Sequence, residues 1–137
     1  MYRSILFLLI LGAIFPAAGS GRAQEGEQDR VFVIIDKDEI RAFSSSRSQW
    51  IPLNLKFDER VKDHRSSGNV AIVVTNQRVL GFSEITGQWS GVDLKMDETF
   101  SGFLEVSDNI GSVVTSERAL GFSAQSGSWD ATDLENK

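Results

Sequence analysis

The side chains able to do chemistry are few, and most of them recur. The chain has no cysteine, so it offers no thiolate nucleophile, no disulfide framework and no zinc-finger site. His64 is the one histidine, which leaves a His-based triad or a multi-His metal site without its parts. Ser44, Ser83 and Ser123 recur without a histidine or lysine at matching spacing, so they read as hydroxyls bonding turn backbone rather than as nucleophiles. Arg78 and Arg118 recur as well; each can pair with a carboxylate, lie over a tryptophan face or contact a ligand. Trp50, Trp89 and Trp129 can fill the space between sheets or present platforms for sugar stacking. Arg78, Arg118, Trp89 and Trp129 are therefore the candidate ligand-binding residues. No residue is assigned as catalytic or metal-binding, and no cofactor is expected.

The acidic and amide side chains of the turns and links read as structural. Asp93, Asp133 and Asn54 each precede a recurring leucine, and Asp58 and Asp97 sit in links; capped turns or surface pairs account for them. Asp36-Lys37-Asp38-Glu39 resembles the start of an oxygen-rich calcium loop but lacks the glycine and distal glutamate of an EF-hand, and it reads as a hairpin tip.

What must position these groups is a repeat. Asp29–Leu55, Gly68–Leu94 and Asp108–Leu134 align without gaps at offsets of 39 and 40 residues. The second and third copies share 13 of 27 positions, among them Thr75/Thr115, Arg78/Arg118, Gly81/Gly121, Phe82/Phe122, Gly87/Gly127 and Trp89/Trp129. The first copy is diverged but retains Phe43, Ser44, Trp50 and Leu55. The links match too: Lys56-Phe57-Asp58-Glu59-Arg60-Val61 parallels Lys95-Met96-Asp97-Glu98-Thr99-Phe100. A fixed period near 40 residues decides the architecture before any local reading.

Within a unit the pattern is that of strands. Val70–Val74 is β-branched and apolar, Arg78–Ser83 places Leu80 and Phe82 on one face, Gln88–Leu94 opens on the tryptophan, and Thr99–Val106 supplies a fourth strand. The stretch Asp63–Gly68 in the first link is polar and reads as a loop carrying His64. Phe43, Phe82, Phe122, Trp50, Trp89 and Trp129 recur at a Phe-to-Trp spacing of seven and are the expected repeat core. The fold class is all-β, with around eleven strands in three tandem four-stranded antiparallel repeats, 29–67, 68–107 and 108–137.

The first 23 residues read differently. Arg3 precedes an apolar run from Ile5 to Phe15, Pro16 ends it and small residues follow, the grammar of a cleaved secretion signal. The run is too short to span a bilayer, and no cysteine follows it as a lipid-anchor site. Residues 24–137 then form one domain, secreted or periplasmic, with no membrane association after cleavage. The whole chain carries 14 Lys+Arg against 19 Asp+Glu, and Arg3 and Arg22 leave with the signal, so the processed chain is at −7. That balance argues against nucleic acid as a partner.

Arg78-Val79-Leu80-Gly81-Phe82-Ser83-Glu84-Ile85-Thr86-Gly87-Gln88-Trp89, repeated at Arg118–Trp129, resembles a β-propeller blade, closest to the tryptophan-containing blades of quinoprotein-like (PQQ-type) propellers. The cofactor- and calcium-binding residues of those enzymes have no counterpart, so the resemblance implies the fold and not PQQ chemistry. Closed propellers need four to eight blades, and fewer than three full units imply self-association. A weaker similarity links Val74-x-Asn76-x-Arg78-x-Leu80-x-Phe82 to the mannose motif of β-prism lectins, so a pseudo-three-fold β-prism or β-trefoil is the alternative fold. The functional expectation is an exported, non-catalytic binding or scaffolding module whose partner is itself or another exported protein. A carbohydrate-binding lectin with repeated sites is the alternative.

Overall fold

The computed structural model describes residues 28–135; the secretion signal expected over residues 1–23 lies outside them. Eleven strands and no helix make up the described chain: β1 (Val31–Ile35), β2 (Glu39–Ser44), β3 (Gln49–Asn54), β4 (Val61–Ser67), β5 (Val70–Thr75), β6 (Arg78–Ser83), β7 (Gln88–Asp93), β8 (Phe100–Val106), β9 (Ile110–Thr115), β10 (Arg118–Ser123) and β11 (Ser128–Asp133). They form three antiparallel sheets, β1-β2-β3, β4-β5-β6-β7 and β8-β9-β10-β11, each a simple meander, and the sheets do not close into a barrel.

Two expectations need correction. The first sheet has three strands among the described residues, not four. The polar stretch 63–67 is not a loop, because it lies within β4, where Asp63 to Ser67 pair with Val74 to Val70. Pairing is carried by backbone groups, so a strand laid against the apolar β5 needs no apolar side chains of its own. His64 is thus an exposed strand residue. Each link strand joins the sheet that follows it: β4 adds to β5 and β8 to β9. The sheets are therefore offset from the sequence copies by one strand.

The sheets stack, and the burial pattern records their order. On β5 every residue is buried, because both faces are covered. On β2 burial alternates strictly, with Ile40, Ala42 and Ser44 turned inward. Val31, Ile40 and Ala42 of the first sheet meet Ala71, Val73, Leu80 and Phe82 of the second. The opposite face of the second sheet (Val70, Ile72, Val74 and Val79) meets Leu104, Val113, Leu120 and Phe122 of the third. The second sheet is the filling. Among the described residues nothing covers the other face of the first sheet or the other face of the third.

Turn chemistry follows the repeat. Gly87 and Gly127 hold φ of 74° and 68°, and Ser48 occupies the same place in the first copy at φ 53°. The links turn on Asp58 and Asp97, also at positive φ.

Candidate functional site

The recurring arginines are built into the links. Glu59 accepts from Arg78 at both carboxylate oxygens (Nε to Oε2, 2.8 Å; Nη2 to Oε1, 3.1 Å) and from the Thr75 hydroxyl at 2.6 Å. Its Oε1 also accepts the Lys56 backbone N–H at 2.7 Å, which closes the turn on Asp58. The third sheet repeats this: Arg118 Nε and Nη2 reach Glu98 Oε2 and Oε1 at 2.9 and 2.7 Å, with Thr115 and the Lys95 N–H completing the set. The same guanidiniums donate to the Asn54 and Asp93 carbonyls of the preceding unit, at 2.9 and 3.1 Å. Each arginine thus clips its own sheet to the end of the previous one. The first copy has Glu39 at this position, bonded to Arg41 at 2.6 Å.

The carboxylates respond to this surrounding. Hydrogen bonding from Arg118 outweighs burial and lowers the Glu98 pKa to about 2. For Glu59, burial pushes the pKa up, but the hydrogen bonds from Arg78, Lys56 and Thr75 outweigh it and the net shift is downward. Glu84 is lowered in the same way by Ser46 against its burial, and it ties the first sheet to the second, where Arg47 donates to the Glu84 carbonyl at 2.6 Å. Both link carboxylates are ionised partners at neutral pH, held for structure. Their signal was present in the sequence: Glu59 and Glu98 stand 19 and 20 residues before their arginines.

The aromatic pairs take two environments. Phe82–Trp89 and Phe122–Trp129 pack at ring-centroid distances of 5.4 and 5.0 Å. Both phenylalanines are buried and both tryptophans half-buried. Trp89 Nε1 donates to the Ile51 carbonyl at 3.0 Å, and Trp129 Nε1 to the Ser90 carbonyl at 3.1 Å, each on the preceding sheet. Phe43 and Trp50 form the same pair at 5.0 Å. Core packing was expected there too, but Trp50 is 43% exposed and Phe43 only partly buried. The reason is position: among the described residues no sheet precedes the first one to cover them.

That uncovered face is the feature sequence reasoning missed. Phe32 and Ile34 on β1 share it, at 60% and 47% exposure, because Phe32 lies opposite Phe43 and Phe43 opposite Trp50. In the second and third copies the Phe32 position holds Ala71 and Gly111. Four large apolar side chains on one exposed sheet face form a patch of the kind that marks interaction surfaces. Arg41 lies among them, with its charge shared by Glu39 and Asp36.

The Ser83 hydroxyl is built into the fold. Ser83 Oγ donates to the Ala124 carbonyl at 2.5 Å and accepts from the Ile85 and Thr86 N–H groups at 3.1 Å, a turn lock across two sheets. Among the described residues no three His, Cys, Asp or Glu side chains converge as a metal-binding group. The candidate ligand residues Arg78 and Arg118 lie at links, and Trp89 and Trp129 lie between sheets, so the four do not converge on one surface. No protein-family model matches the chain, and no curated protein matches it.

Proposed function

We propose that this chain is an exported, non-catalytic binding or scaffolding module of propeller-type sheets, and that it binds a protein through the outer face of its first sheet. The exposed Phe32, Ile34 and Trp50, with the partly buried Phe43 beside them, carry this reading. Supporting it, the groups that could do chemistry are engaged elsewhere: the arginines and glutamates in link clips, Ser83 in a turn lock. The blade-like reading draws support from the meander order of each sheet and from close approach of the sheets along β1, β4 and β8.

The test is a photo-crosslinking group at Phe32 in the producing cell. A crosslinked protein product is expected, reduced by Trp50→Ala with folding intact. If no protein product forms, the reading fails. The lectin reading is favoured by the exposed Trp50 ring alone; binding on a glycan array lost in Trp50→Ala would put it first.

A further inference from the structure

The two interfaces inside the molecule are built to one plan. In each, an aromatic pair from one sheet presses on the preceding sheet at a small residue. Phe82 packs with Ala42, and Phe122 lies over Gly81, where a Cβ would stand 2.7 Å from its ring atoms. In each, the tryptophan indole donates to the carbonyl of the residue opposite that seat. Ile51 is the cross-strand partner of Ala42, and Ser90 that of Gly81.

The outer face of the third sheet carries the same seat with nothing on it. Gly121 holds the position of Ala42 and Gly81, and a Cβ there would have no heavy atom within 4 Å. Its cross-strand partner is Asp130, in the place of Ile51 and Ser90. A shallow depression of about 470 Å³ lies over it, lined by Ile110, Ser112, Gly121, Ser123, Ser128 and Asp130. The first sheet holds the matching knob. The Phe43–Trp50 pair has the 5.0 Å spacing of the buried Phe122–Trp129 pair, and Trp50 Nε1 has no acceptor among the described residues.

We propose that a second copy of this chain covers the exposed face, head to tail. Phe43 and Trp50 of one copy seat on Gly121 of the next, and the indole donates to the Asp130 carbonyl. The inference rests on the reading of that face as protein-binding and names its partner. Charge agrees with the pairing. Arg41 stands on the first sheet where the other copies have Leu80 and Leu120, and the facing surface carries Asp130 and Thr132 where the first copy has Ile51 and Leu53. These polar exchanges make the contact between copies weaker than the internal ones, as suits a surface that must also be stable in water. A face-to-face contact between two first sheets would leave both Gly121 depressions unfilled. A head-to-tail contact closes into a ring or runs on as a filament, depending on the rotation per copy.

The experiment uses the protein as its producing cell processes it, with mass measured by light scattering over a concentration series. Gly121→Arg blocks the seat and, having open space, leaves the fold intact by circular dichroism. Trp50→Glu removes the knob and sets an acid against Asp130. The unaltered protein is expected at twice the monomer mass or more, each variant alone at monomer mass, and an equimolar mixture of the two as a one-to-one dimer that grows no further. A monomer at every concentration overturns the proposal, as does self-association of Gly121→Arg or failure of the mixture to pair. Crosslinking from Phe32 to a different protein by a monomeric chain would retain the binding reading and reject this one.

Discussion

At the scale of single residues, the link clip concentrates electrostatic energy in a small space. Glu98 is ionised down to about pH 2 when folded, against a usual value of 4.5. A lowered folded pKa adds stability that is fully present above the unfolded value and is lost as pH falls through the folded one. Acid titration followed by tryptophan fluorescence should therefore show stability falling between about pH 4.5 and 2, by on the order of 3 kcal/mol from this group. Glu59 adds to the loss in the same direction. Arg118→Ala strands a buried carboxylate and should cost about 3–5 kcal/mol in urea denaturation. Ser48 makes the opposite case. It adopts a left-handed conformation where the other copies use glycine, so Ser48→Gly should raise stability by about 0.5–1 kcal/mol in the same assay.

At the scale of the sheet, one residue type has different worth according to what lies against it. Phe82→Ala empties a fully buried site and should cost about 3–5 kcal/mol. Phe43→Ala, on the uncovered face, should cost less than half of that when measured at concentrations where the chain is monomeric. Glycines divide the same way. Gly81→Ala drives a methyl against the Phe122 ring and should cost about 1–3 kcal/mol, whereas Gly121→Ala should leave the monomer's unfolding midpoint unchanged. The β4 strand shows how far composition misleads. Its side chains are polar, yet β5 supplies a complete row of backbone partners, and pairing prevails over side-chain preference.

For the whole molecule, a stack of three sheets places its firmest structure in the middle. The second sheet is covered on both faces and each terminal sheet on one. In the Gly121→Arg monomer, hydrogen exchange should be slowest along β5 and β6 and faster in β1–β3 and β8–β11, with stability approximated by nearest-neighbour interfaces. In the unaltered protein, where copies cover the outer faces, the difference in protection between the sheets should narrow.

The sequence alone determined the copies, their turns and the strand pattern apart from β4. These depend on local periodicity and on residues such as Gly87, Phe82 and Trp89 whose demands act within a few positions. It pointed to the recurring arginines without naming Glu59 and Glu98 as their partners, since a pairing across 19 or 20 residues is fixed only when the chain folds back. It also counted Phe43 and Trp50 with the core, because three copies of one pattern look equivalent along a line. Only the tertiary structure decided otherwise. Among the described residues the stack has two outer faces, so the same side-chain pair is packed between sheets in one copy and lies on an uncovered face in another.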